Sequence, residues 1–154
     1  MSLGGGGGGQ LQQLAEEIQA IEEQVEGLEG EIDELQNEKM EIDEAVEALE
    51  TLDSGDTVQV PLGGDAYVRA EVQDIDEIIV SLGGGYAAER EQDGAIDTLE
   101  NKKETIDDRI DDIRSDIAEL ESESEELEQQ AQQMQQQQMQ QQMSQMQGQE
   151  GDDE

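Results

Sequence analysis

Apolar residues recur at alternating steps of three and four along two stretches of this chain, and that repeat constrains the fold more than any other feature. The first stretch runs Leu11, Leu14, Ile18, Ile21, Val25, Leu28, Ile32, Leu35, Lys39, Ile42, Val46 and Leu49. The second runs Ile96, Leu99, Lys103, Ile106, Ile110, Ile113, Ile117, Leu120, Ser124, Leu127, Ala131 and Met134. A seven-residue repeat held over about six heptads keeps one stripe facing a partner only if the helix supercoils, so both stretches read as coiled-coil arms.

Between the arms helix is interrupted by Gly55, Pro61, Gly63-Gly64 and Gly83-Gly84-Gly85. The interruption contains a repeat offset by twenty residues: Val60-Pro61-Leu62-Gly63-Gly64 followed by Tyr67, then Val80-Ser81-Leu82-Gly83-Gly84 followed by Tyr86. Each copy reads strand, glycine turn, strand, which predicts two β-hairpins in tandem. Pro61 has no N–H to give a ladder, so its strand is expected at an edge or at a bulge. The expected organisation is a glycine leader over 1–9, an N-terminal helix over 10–52 and the hairpin body over 53–93. A C-terminal helix over 94–135 and a Gln/Met-rich, acidic-ended tail over 136–154 complete it. The six glycines Gly4 to Gly9 are expected not to hold a helix. The fold class is α+β, mainly α: a long antiparallel coiled-coil hairpin with the β-hairpins at its closed end.

A body of about 40 residues without Phe or Trp is near the size at which a lone core needs a staple, and the chain has no cysteine to make one. The hairpins are therefore expected to complete their core between subunits, as a sheet or barrel, through Val58, Val60, Leu62, Val68, Val72, Ile78, Val80 and Leu82. If the chain reverses there, Leu49 aligns with Ile96 and Leu11 with Met134, and the seam lysines Lys39 and Lys103 fall in adjacent layers. A polar seam residue either fixes register at some cost in stability or is a tolerated lysine that reaches the surface, and carboxylates at Asp43 and Asp107 stand one turn away on the same arms. Each arm would be roughly 60 Å long.

Forty-three acidic against seven basic residues give a formal charge of -36. That excludes binding to a phosphate backbone and argues against an anionic membrane surface. No apolar run reaches membrane-spanning length, and the chain reads as a cytoplasmic protein with no cofactor. Without histidine or cysteine the usual transition-metal ligands and the usual general base are missing, so no catalytic, cofactor or metal site is expected. The glycine runs lack the Lys-Ser/Thr of a phosphate loop, and Asp74 and Asp76 read as a turn. The acidity itself fits a cytoplasm of molar salt, where screening shortens to roughly 3 Å.

Charge is unevenly spread. All seven cations lie between Lys39 and Arg114, residues 16–38 and 115–128 carry only acidic charge, and 1–15 and 129–149 carry none. In the aligned register the two neutral segments meet, giving a tip with Leu3, Leu11, Leu14, Met134, Met139, Met143 and Met146. Met139, Met143 and Met146 recur at i, i+4 and i+7 with no partner arm to bury against. Flexible, polarizable thioethers suit an adhesive surface that accepts many partners, and the alternative is a disordered Gln-rich tail without a function.

Two long helices joined by tandem hairpins, with Val60-Pro61-Leu62-Gly63-Gly64 and Ser81-Leu82-Gly83-Gly84-Gly85-Tyr86 between matched arms, resemble the alpha subunits of archaeal prefoldins over residues 11 to about 134. The resemblance implies a hexamer of two alpha and four beta subunits, with an inter-subunit β-barrel and six coiled-coil tentacles. It also implies an ATP-independent holdase that takes nonnative client proteins at its tips and passes them to a group II chaperonin. The glycine run and the long Gln/Met tail depart from the pattern. A coiled-coil tether or adaptor, with its apolar groups internal and one defined partner, is the alternative.

Overall fold

The computed structural model describes residues 6–150, with side chains over 8–148. Six elements follow in chain order: α1 (Gly6–Thr51), β1 (Thr57–Gly63), β2 (Ala66–Glu71), β3 (Ile78–Gly83), β4 (Tyr86–Arg90) and α2 (Gln92–Glu150). They divide into two compact units, one formed by Met1–Ile32 with Asp112–Glu154, the other by Asp33–Asp111.

In both units the 3,4 repeat decides which side of each helix is covered. All twelve seam positions from Leu11 to Leu49 and all twelve from Ile96 to Met134 are buried or half-buried, whereas nearly every position between them is exposed. In the first unit Ile21, Ile32 and Ile113 are the buried core, and Ile113 is 1% exposed. In the second, Ile42, Leu49, Val80, Ala95, Ile106 and Ile110 are buried.

The second unit carries two separate two-stranded antiparallel sheets, β1 with β2 and β3 with β4. In each, the register shifts one residue before the turn, between Pro61 and Gly63 and between Ser81 and Gly83. The second bulge forms without a proline, so the glycine turn and not Pro61 is its common cause. Gly64 and Asp65 take φ of 58° and 61°, and Gly84 and Gly85 take 61° and 81°. Positive φ at both central residues is the two-residue turn whose twist matches the flanking strands, and it requires Gly, Asn or Asp. Past β1 and β2, Gly55 N–H donates to Val72 O at 2.7 Å and Val72 N–H to Asp56 O at 2.8 Å, which closes the open end of the hairpin.

Two expected boundaries move. Helix α1 begins at Gly6, inside the expected leader. Gly6 to Gly9 form its first turn, where N–H groups lack intrahelical acceptors anyway, and they extend a helix already nucleated from Gln10 onward. Helix α2 runs to Glu150, through most of the expected tail over 136–154. Gln and Met both favour helix, and between Gly94 and Gly148 no Gly or Pro interrupts it. The rest of the leader, with Leu3, and the acidic end over 151–154 lie outside the described residues.

Candidate functional site

Three groups of side chains stand out from the supporting seam. The first is a crossed ion-pair layer in the second unit. Lys39 on α1 hydrogen-bonds Asp107 on α2, and Lys103 on α2 donates to Asp43 Oδ1 on α1 at 2.6 Å. Sequence spacing placed each lysine one turn from a carboxylate of its own helix. The structure pairs each with the other helix, because a seam lysine points across the interface and its flexible stem carries the ammonium to the partner's flank. The hydrogen bond to Asp43 raises the Lys103 ammonium above the ordinary lysine pKa, partial burial opposes it, and the charges of Asp43, Asp107 and Glu100 add to the rise.

The second group is the apolar surface of the hairpins. Cross-strand pairing puts Val60 opposite Val68 and Val58 opposite Ala70, so β1 and β2 share one apolar face. Within this chain much of that face is uncovered, with Val60 at 41% exposure and Leu62 and Val68 also exposed; Val58 and Val72 are half-buried. The other hairpin is used differently. Val80 is buried against Leu49 and Ala95, with Ile78, Ile96 and Leu99 around them. Expected assembly residues Ile78 and Val80 therefore serve the subunit's own core, while Leu82 stays exposed. The face turned away from them bears Ile79, which is 75% exposed; Ile79, Tyr67 and Tyr86 are exposed apolar residues of the hairpins outside the set expected from sequence. The unbroken run Ile78-Ile79-Val80 carried the signal, since successive strand residues point to opposite faces and such a run makes both faces apolar.

Polar contacts tie the second hairpin to α2, join the two helix ends and set the turn before β3. Lys102 Nζ donates to Ser81 O at 2.9 Å. The Gln92 amide donates to Leu49 O and Leu52 O, satisfying carbonyls at the end of α1 that have no helical partner. Asp74 accepts the N–H of Asp76 at 2.9 Å in the turn before β3.

The third group is in the first unit, beside the stretches of α1 before Glu16 and of α2 between Glu128 and Glu150 that carry no charged side chain. Gln10, Gln13 and Leu14 of α1 face Gln130, Gln133, Met134 and Gln137 of α2 across a shallow groove, closed on one side by Glu17. Leu11, Leu14 and Met134 are half-buried in the seam. Met139, Met143 and Met146 are 69%, 70% and 72% exposed. The expected tip residues thus divide into a seam trio and an outward-facing methionine stripe. Among the described residues no cluster of acidic, histidine or cysteine side chains is arranged to hold a metal ion, and no helix is long and apolar enough to cross a membrane.

Comparison with known proteins gives a consistent picture. The family model described as prefoldin subunit matches residues 21–137. A prefoldin subunit alpha of Haloarcula marismortui is 73% identical over 97 residues, 63% of each chain, so the match spans less than two thirds of that relative's length. The prefoldin subunit alpha of Halobacterium salinarum is 68% identical over 106 residues, 69% of each chain. These are halophilic archaea, as the acid-rich composition anticipates. Among solved structures, a chain of the filamentous PFD from Methanocaldococcus jannaschii, determined by cryo-EM, superposes with a TM-score of 0.65 at 31% identity. The superposition covers 73% of this chain and 95% of that one.

Proposed function

The chain belongs to the prefoldin family, and from that premise we propose that it is the alpha-type subunit of a non-enzymatic, ATP-independent holdase that captures nonnative proteins at its charge-free helix ends. The observation that carries the reading is the exposure of Met139, Met143 and Met146 in a segment stripped of charge, in a chain of formal charge -36. An acidic surface repels acidic clients and keeps water ordered around its carboxylates. A neutral stripe of thioethers and amides accepts apolar segments of many shapes. Each buried methionine contributes on the order of 1–2 kcal/mol, so one stripe holds weakly and several on one body hold well.

The uncovered face of β1 and β2 supports assembly through the hairpins. In this reading Val60, Leu62, Val68 and Ile79 pack against beta-type subunits, two alpha with four beta, in a closed β-barrel that leaves no sheet edge free. The complex works in the cytoplasm and releases its clients to a group II chaperonin. A tether with internal apolar groups does not account for three methionines left in solvent.

The test is aggregation suppression by the purified complex, using two unrelated denatured proteins and no nucleotide. Suppression of both at near-stoichiometric complex supports the reading. Suppression of neither, with the complex intact, contradicts it.

A further inference from the structure

Four described thioethers stand in solvent, Met40 alone on α1 at 61% exposure and Met139, Met143 and Met146 as a stripe on α2, and each is a site for oxygen transfer. The chain has no cysteine, so among the described residues its methionines hold all the sulfur. Met139, Met143 and Met146 lie within about 60° of one another around α2, given 3.6 residues per turn. They point on the order of 130° away from the seam line through Met134 and half-buried Gln138. Chemistry on these sulfurs therefore leaves the packing of α1 on α2 untouched. Oxidation of Met134, in the seam, would not.

We propose that Met139, Met143 and Met146 are an oxidation site that switches client capture off: a peroxide converts the apolar stripe to sulfoxides while the coiled coil stays folded. In the step, the thioether sulfur attacks one peroxide oxygen, an S–O bond forms and the O–O bond breaks. Methionine is oxidised by two electrons and hydrogen peroxide is reduced to water. A dithiol reductase reverses it, the oxygen leaving as water while two thiols become a disulfide. A sulfoxide is polar and hydrogen-bonds to water, so the stripe loses its preference for apolar client segments. The switch rests on the tip-capture reading above; the oxidation chemistry itself does not.

The experiment treats the assembled complex with hydrogen peroxide, removes the peroxide with catalase, and then adds denatured client. Peptide mass spectrometry follows oxygen uptake at each methionine, and light scattering follows both particle size and client aggregation. A variant with M139L, M143L and M146L keeps an apolar stripe that cannot oxidise and controls for sulfur elsewhere in the complex. The expected result is faster oxidation at these three positions than at Met134, with particle size unchanged. The complex needed for half-suppression should rise about five-fold in the natural protein and stay constant in the Leu variant. Slower oxidation than at Met134, or full oxidation with capture unchanged, overturns the proposal. An untreated variant with the three methionines changed to Gln separates the two ideas. If it captures client normally, the tip reading fails and takes the switch with it. If it has lost capture while oxidised natural protein has not, the switch alone fails.

Discussion

Lys103 reaches across the helix seam to Asp43, sixty positions earlier in the chain, and donates to its Oδ1 at 2.6 Å. With the reciprocal pair Lys39 and Asp107, it makes a layer that only one antiparallel alignment of α1 and α2 satisfies. Both pairs are partly exposed, so their attraction adds little to stability; the effect expected of them is on which register is populated. Replacing Lys39 and Lys103 together by Leu should raise the melting temperature and broaden the distribution of registers. Distances between spin labels on α1 and α2 in the second unit check this: one narrow distribution in the natural protein, two or more in the variant.

The same layer predicts a pH dependence. The Lys103 pKa is raised in the folded state by the hydrogen bond to Asp43. A group whose folded pKa exceeds its unfolded value contributes stability that is complete below the unfolded pKa, about 10.4 for lysine, and is lost as pH rises through the folded one. Melting curves of the natural protein and of D43N should therefore differ at pH 9 and converge above the lysine range. A constant difference up to pH 12 contradicts the assignment.

Gly27 and Gly30 stand inside α1 with nothing within 4 Å of where a Cβ would be built. No close approach requires them, so each should cost the helix about 0.5–1 kcal/mol relative to alanine. G27A and G30A are expected to raise the denaturation midpoint, roughly additively. By contrast I113A, at a site 1% exposed, should cost about 2–5 kcal/mol. Chemical denaturation followed by circular dichroism compares all three.

Much of this architecture is legible in the residues. The heptads name the covered seam positions because burial between the two arms follows the 3,4 repeat, and the glycine pairs place both turns because positive φ admits few residues. Three features are not legible for identifiable reasons. The Gln/Met tail looks like low complexity, yet its residues individually favour helix. Ile78 and Val80 look like interface residues, but which face of a hairpin its own helices cover depends on tertiary packing. The lysine partners lie on the opposite helix, a choice that local spacing does not encode.

The salt response follows from the charge map. Residues 16–38 and 115–128 bear carboxylates and no Lys or Arg, so their repulsion is screened as the Debye length falls from about 10 Å at 0.1 M to roughly 2–3 Å at 2 M. Helicity and assembly should both increase from 0.1 to 2 M KCl. Flat or falling ellipticity at 222 nm over that range contradicts salt adaptation as the cause of the acidity.

Client capture by the methionine stripe is tested most directly by ending the chain after Gln135, which keeps every seam residue through Met134 and removes Met139, Met143 and Met146. Assembled with its partner subunits, the shortened chain should give the same yield of complex by light scattering and a partial loss of aggregation suppression, since partner subunits also present helix ends. Intact complex with undiminished suppression would contradict capture at the stripe.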